Sequence, residues 1–490
     1  MRCIVSGLFV AGCLLTAVTL EAKDQIAESV VKVHVTKREP DLLRPWTKGT
    51  SQETSGSGVV IDGRRILTNA HVVLYAAQIF VQGNQTTDRV PATVAAISPE
   101  MDLAVLKVEK ASFFDGRAPV PLETGIPPIR QSVSVYGYPI GGEQQSVTQG
   151  IISRIEYAGM YCFAFGVRIQ IDAALNPGNS GGPAVSNGKL VGLVFSKISK
   201  ADNIVYLIAV DEIQTFLKDV EDGVYNGKPA LWDEFQTAEN ASLRKRLGLT
   251  SETGVMVTKP YRSTPDYPLK AWDLVTRVAG EPLDNKGNVK VKDDLRLPFS
   301  YLVAKQAKNG KIRLTVLRDK KLIEVEVPVS AERKLVLPFL KGAYPRYFLC
   351  GPMVFLTASQ DIMSRLPAAM LAYMKNPVLG RVMDDQAFDG EEIVLLGASL
   401  LPHAVAEGYG PHPLAVVQKV NGVSVKNLAH LAELLRDATD PFLTFQFGGV
   451  AEIVVFGREE FFKSTEDILS DEGIRKQYSD DLGAVWKKKK

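Results

Sequence analysis

A mainly β chain, with a strand-rich N-terminal region followed by two smaller α+β modules, is the architecture this sequence predicts. Three observations carry it. Between Ser29 and about Phe216, short apolar runs recur between Gly, Pro, Asn and Asp, the mark of an all-β barrel or sandwich. Beyond Asp222 to Pro229, strand-like runs alternate with helix-like ones, as in a small α+β module. The length, 490 residues, leaves room for about three domains at about 150 residues each.

The first element is a leader. Ile4 to Leu20 carries no charge, follows Arg2 and runs into Glu21-Ala22-Lys23, so residues 1–22 read as a secretory signal and the chain as periplasmic or secreted. Two other fates stay open: retention as an anchor, the run being at the short limit for a span, and lipidation at Cys13 in Val10-Ala11-Gly12-Cys13. Membrane association is expected only in those cases. Cys3 and Cys13 fall within the leader, leaving Cys162 and Cys350 in different modules. Two buried free thiols are therefore expected rather than a disulfide. No Cys pair or His cluster has metal-ligand spacing, and neither a metal nor a cofactor is expected.

The strands of the first region are Val30 to Val35, Val59 to Ile61, Leu103 to Val108, Val133 to Tyr136, Val167 to Ile171 and Leu190 to Phe195, with a helix near Val210 to Val220. Gly223, Gly227 and Pro229 mark a junction. The next module holds strands at Val255 to Thr258, Leu274 to Val278, Ile312 to Leu317 and Ile323 to Val327, and a helix at Ser300 to Ala307. A second junction lies near Lys341 to Tyr347. Beyond it come Ala415 to Val420, the turn Asn421-Gly422 and a helix Asn427 to Arg436 whose leucines 428, 431, 434 and 435 share one face.

Charge narrows the partners. With 57 Lys+Arg against 55 Asp+Glu, the chain lacks the basic excess that a nucleic-acid binder needs to neutralise phosphates. The surplus itself comes from Lys487 to Lys490 at the extreme terminus. With 46% hydrophobic and 23% charged residues, the composition is that of a globular protein and not of a disordered one.

The strongest chemical signal is Asn176-Pro177-Gly178-Asn179-Ser180-Gly181-Gly182-Pro183. Glycine inside a helix or strand costs about 0.5–1 kcal/mol relative to alanine, so this cluster suits a tight loop whose amides approach a ligand. Gly178 and Ser180, with Asn179 between them, are the candidate oxyanion donors. The same residues satisfy the G-x-S-x-G elbow of α/β-hydrolases. That fold requires a helix after the serine, whereas Pro183 and the strand-like Leu190 to Phe195 follow here. Among five histidines, His71 stands where a strand gives way to small residues in Ile66-Leu67-Thr68-Asn69-Ala70-His71. His34 alternates with valines in a strand, His430 sits in a helix, and His403 and His412 lie in a Pro/Gly-rich stretch. Asp102 stands at the mouth of the apolar run Leu103 to Val108, placed to orient an imidazole. The chain order His71, Asp102, Ser180 is that of the chymotrypsin-type triad.

Ser55-Gly56-Ser57-Gly58-Val59-Val60-Ile61, Thr68-Asn69-Ala70-His71-Val72-Val73, Asp102 to Val108 and Asp172 to Pro183 together resemble the Deg/HtrA serine proteases. Looser similarity to the plant-type members runs on through Phe299-Ser300-Tyr301-Leu302-Val303, Leu335-Val336-Leu337-Pro338 and Val420-Asn421-Gly422 to Ser479-Asp480-Asp481-Leu482. The resemblance implies an ATP-independent endopeptidase with a chymotrypsin-like double β-barrel protease domain over 23–222. It also implies a PDZ domain over 228–335, a second divergent PDZ-like domain over 346–468 and a tail over 469–490. It further implies a homotrimer or higher homo-oligomer acting on unfolded or misfolded proteins, with His71, Asp102 and Ser180 catalytic. One departure is Pro229-Ala230-Leu231-Trp232-Asp233, which lacks the glycine of a hydrophobic-Gly carboxylate loop for capturing peptide C-termini. A chaperone-like peptide-binding scaffold and an esterase using the same triad are the competing functions.

Overall fold

The computed structural model describes residues 24–159, 165–174, 176–197, 205–249, 251–366, 372, 375–397, 399–411, 413–449 and 453–488. The leader, its cleavage point, Cys162 and His412 lie outside the described residues. Two closed six-stranded antiparallel barrels form the N-terminal region. The first contains β1 (Val30–Lys37), β2 (Gln52–Ile61), β3 (Arg65–Thr68), β4 (Ala76–Gln82), β5 (Arg89–Ser98) and β6 (Leu103–Val108). Its strand order is β1-β2-β3-β6-β5-β4. The second contains β7 (Ser132–Gly137), β8 (Ser146–Gly159), β9 (Phe165–Ile171), β10 (Pro183–Ser186), β11 (Lys189–Lys197) and β12 (Val205–Ala209). Here the order is β10-β11-β12-β9-β8-β7.

Alternation decides what each barrel buries. Val31, Val33, Ile66 and Leu106 point into the first barrel, and Val135, Ile152, Ile169 and Leu207 into the second. The opposite faces of the same strands meet between the barrels, where Val30, Leu67, Tyr136, Leu193 and Ile208 share a third core with Phe216 of the helix Val210–Asp219. Each buried side chain of this size stabilises by about 1.5–3 kcal/mol. A chymotrypsin-like double barrel is thus the observed architecture.

The next module is a sheet of Glu234–Thr237, Val255–Lys259, Leu274–Val278, Lys311–Arg318 and Lys321–Pro328 in that order. Helix Ser300–Gln306 buries Leu302 and Val303 against this module's core. The third module packs helices Leu428–Arg436 and Arg458–Asp471 around a core that includes Phe348, Phe355, Phe445 and Phe461. Asn427 caps the first of these helices, accepting from the His430 N–H at 2.7 Å.

Residues 469–488 do not trail from this module, although the sequence reading has 469–490 as a tail. Leu349 N–H donates to the Gln477 carbonyl at 2.9 Å, and the Trp486 ring lies 4.9 Å from that of Phe348. Leu482 is buried in the same core. A mostly polar segment with so few apolar residues shows no periodicity, so only its contacts reveal that it belongs to the domain.

Cys350 is a free thiol, buried between β-structure and the Arg458–Asp471 helix, and burial pushes its pKa up to about 12. Its thiolate is scarce at neutral pH. Iodoacetamide at pH 8, read by mass mapping, is expected to leave Cys350 unlabelled over hours in the folded protein and to label it fully in urea. Labelling of the folded protein at the rate of a free thiol would contradict this burial.

Candidate active site

The four-residue helix Ala70–Val73 follows β3 and starts the site. Asn69 stands at its N-cap without making the usual side-chain cap; its amide instead donates to the Asp102 carbonyl at 2.9 Å. That bond ties the turn before β6 to the helix carrying His71. Asp102 adopts φ +56°, a left-handed conformation that Asp tolerates better than most residues. In this pose its two oxygens have separate tasks: Oδ1 accepts the His71 backbone N–H and Oδ2 meets His71 Nδ1, both at 2.8 Å. Because a carboxylate only accepts, Nδ1 must carry the proton, and neutral His71 is left with a lone pair on Nε2. The imidazole is 48% exposed and the carboxylate 12%, so the acid lies beneath a ring open to the cleft. Lys37, at the end of β1, donates to the His71 carbonyl and fixes the helix from the other side.

Ser180 comes from the second barrel, in the loop before β10. Gly56 of β2 shows how close the two halves are. A Cβ there would lie 2.8 Å from the Val72 γ-carbons and 3.2 Å from the Ser180 carbonyl oxygen. Glycine at 56 therefore lets the residue after His71 and the backbone of Ser180 close on one strand. No hydrogen bond between His71 Nε2 and Ser180 Oγ is formed among the described residues; in substrate-free enzymes such contacts are often long.

The loop Pro177 to Gly181 is pinned peptide by peptide. The Pro177 carbonyl accepts from Ile140 N–H at 2.7 Å and the Gly178 carbonyl from Ser57 Oγ at 2.9 Å. The Asn179 carbonyl accepts from Gly182 N–H at 2.9 Å and the Ser180 carbonyl from Ser57 N–H at 2.8 Å. A trans peptide turns its N–H opposite to its carbonyl, so each pinned carbonyl sets the direction of the following amide. Asn179 N–H donates to Asn176 at 3.2 Å and Gly181 N–H to Val194 at 2.9 Å. Gly178 and Ser180 N–H meet no acceptor among the described residues. The Asn179 amide, grouped with them on sequence grounds, is thus engaged inside the turn. Gly178 has φ +100°, and a Cβ there would come within 2.5 Å of the Tyr138 oxygen and Ile140 nitrogen.

The other described histidines, His34, His403 and His430, serve elsewhere. His34 Nε2 meets Gln82 Oε1 at 2.8 Å on the outside of the first barrel, and burial lowers its pKa. His430 lies in a helix of the third module, and His403 Nδ1 accepts from the Val405 N–H. Sequence reasoning missed Lys37 and the Tyr138–Ile140 turn, whose roles depend on contacts between distant segments, and read Asn69 only as part of the Thr68 to Val73 stretch. Ser57 was visible only as part of the Ser55 to Gly58 stretch.

The glycine-poor segment Pro229 to Asp233 is also tied down. Ala230 exchanges both backbone hydrogen bonds with Ser330, at 3.1 and 3.2 Å, and Trp232 Nε1 donates to the same Ser330 carbonyl at 3.1 Å. Beside it a pocket of about 410 Å³ is lined by Tyr157 and Phe165 of the second barrel with Leu231, Trp232 and Ala304 of the next module.

Residues 56–193 match the family model of the trypsin-like peptidase domain, and residues 339–481 match that of a PDZ domain. Protease Do-like 4, mitochondrial, of Arabidopsis thaliana is 35% identical over 426 residues, covering 85% of this chain and 78% of that protein. Protease Do-like 2, chloroplastic, of the same plant is 32% identical over 468 residues, covering 93% and 75% respectively. Among solved structures, that of the HtrA-type protease AlgW with a tripeptide is similar with a TM-score of 0.50 and 26% identity, over 62% of this chain and 94% of that one. The extent of these matches leads to one conclusion: the chain belongs to the Deg/HtrA family of serine endopeptidases and is similar to its plant members.

Proposed function

We propose that peptide bonds are cleaved here by acyl transfer, with Ser180 as nucleophile, His71 as general base and then acid, and Asp102 holding the imidazole tautomer. The observation that carries this is the alternation in the Pro177 to Gly181 loop, where four carbonyls are pinned and the Gly178 and Ser180 amides are left to donate. On attack, Ser180 Oγ bonds to the scissile carbon and its proton passes to His71 Nε2. The carbonyl oxygen becomes an oxyanion held by the two amides, and His71 returns the proton to the leaving amine.

The substrates we propose are unfolded or damaged proteins, met in a non-cytosolic compartment such as the cell envelope by a homotrimer or larger homo-oligomer. The mitochondrial and chloroplastic names of the Arabidopsis relatives support a non-cytosolic compartment. We assign the protease domain to 23–222 and the PDZ domain to 228–335. The second PDZ-like domain starts at 346 and, on the packing of Leu482 and Trp486, extends past 468 to Trp486. Pairing of Ala230 with Ser330 supports a first PDZ module that does not capture free C-termini in the usual loop.

The test is a purified mature chain given an unfolded protein and, in parallel, a biotinylated fluorophosphonate. Cleavage of the unfolded protein and a label mapped to Ser180 are expected. Suppression of aggregation without cleavage would favour a scaffold, ester turnover without proteolysis an esterase, and either overturns the reading.

A further inference from the structure

Ser57 belongs to β2 of the first barrel, is fully buried, and touches the second barrel through every polar atom except its carbonyl. Its N–H donates to the Ser180 carbonyl at 2.8 Å. Its hydroxyl donates to the Gly178 carbonyl at 2.9 Å and accepts from the Tyr138 N–H at 2.8 Å. Its own carbonyl accepts from Thr68 Oγ1 at 2.7 Å, within the first barrel. The backbones are in close contact, since a Cβ on Gly181 would fall 2.1 Å from the Ser57 oxygen. Ser57 therefore pins two of the four carbonyls in the Pro177 to Gly181 loop, one with its amide and one with its side chain.

The Gly178–Asn179 peptide lies between the two amides that meet no acceptor. Its orientation is set by ψ of Gly178 and φ of Asn179, and glycine, lacking a Cβ, restrains the first of these least. Without the hydroxyl, the buried Gly178 carbonyl and the buried Tyr138 N–H would both lose their partner. A buried polar group without a partner is costly, so the plane would turn to find another and carry the neighbouring amides with it.

We propose that Ser57 is a positioning residue for acyl transfer: its hydroxyl, reaching across the barrel interface, holds the peptide plane that joins the Gly178 and Ser180 oxyanion donors. The proposal rests on the catalytic reading above. It assigns to the first barrel a second task besides supplying His71 and Asp102, namely shaping a hole made of second-barrel backbone.

The experiment compares Ser57→Ala, Ser57→Cys, Ser57→Thr, Thr68→Val and Ser180→Ala in the full chain. It uses a fluorogenic peptide taken from a site cut in an unfolded substrate and a peptidyl boronate of the same sequence, which forms a tetrahedral adduct in the hole. Ser57→Ala is expected to lower kcat by about 10²-fold, the scale of a 1 Å misplacement. KM should stay within about threefold, and boronate affinity should fall in step with kcat. Ser57→Cys, which keeps the volume but donates weakly, should follow Ser57→Ala and covers the case in which the alanine variant does not fold. Ser57→Thr keeps the hydroxyl and should recover most of the rate. Thr68→Val removes the hydrogen bond to Ser57 that stays within the first barrel; it should lower the melting temperature while changing kcat by less than about threefold. A kcat for Ser57→Ala or Ser57→Cys within threefold of the parent overturns the proposal. So does a fall in kcat with boronate affinity unchanged. Ser180→Ala separates the two levels: if it retains turnover, the catalytic reading itself fails, and if it alone loses turnover, only the role of Ser57 fails.

Discussion

Ser180→Ala is expected to leave the fold intact and to lower turnover of an unfolded substrate by about 10⁶-fold, the scale seen when a triad nucleophile is removed. The physical reason is that the Gly178 and Ser180 amides proposed as oxyanion donors and the His71–Asp102 pair keep their contacts, since none of the hydrogen bonds pinning the loop uses the Ser180 hydroxyl. Residual activity then reflects only substrate binding and polarisation by the Gly178 and Ser180 amides. His71→Ala should cost about as much, and the double variant little more than either alone, because the two residues act as one unit. Single-turnover assays at high enzyme concentration, with melting curves for each variant, provide the measurement. Additive losses in the double variant, or a Ser180→Ala protein that still cuts at more than about one-hundredth of the parent rate, would show that another nucleophile works.

Asp102→Asn carries the second large effect, a fall in kcat of about 10⁴-fold at neutral pH with little change in fold. The amide retains the size of the carboxyl group, but its NH₂ cannot accept from His71 Nδ1–H. If the side-chain oxygen keeps the backbone N–H of His71 at the 2.8 Å site now held by Oδ1, the NH₂ faces the ring. Nδ1 then becomes the acceptor and Nε2 carries the proton, so the nitrogen that must take the Ser180 proton is blocked. The loss should be nearly the same in kcat and kcat/KM, because the interaction is made as His71 becomes charged. A variant that lost KM instead would indicate that Asp102 shapes the substrate cleft and not the base.

Much of this was legible along the chain. Ser180 stood out because several glycines around one serine are unfavourable in any regular element. His71 and Asp102 stood out only jointly, through their order. Strands β1, β6 and β11 appear as apolar runs because both faces of much of each strand are buried, and the helix Val210–Asp219 as an apolar face because one side of it is. Strands β4, β5 and β8 were not read, since their alternation is broken by exposed or half-exposed positions at the barrel rims. The C-terminal stretch to Trp486 was taken for a tail because its anchoring residues, Tyr478, Leu482 and Trp486, are too few to form a pattern.

By itself, then, the order of residues determined the fold class, the three side chains that carry the proposed chemistry and the glycine loop that holds one of them. Those are local matters: burial periodicity, backbone freedom and residue type. Tertiary structure decided which amides of the loop are left to donate, through the Ile140, Ser57 and Gly182 hydrogen bonds that turn its carbonyls aside. It also decided the tautomer of His71, through an aspartate held at a left-handed turn. Hydrogen-bond direction depends on partners brought together by barrel closure, and sequence spacing carries no record of them.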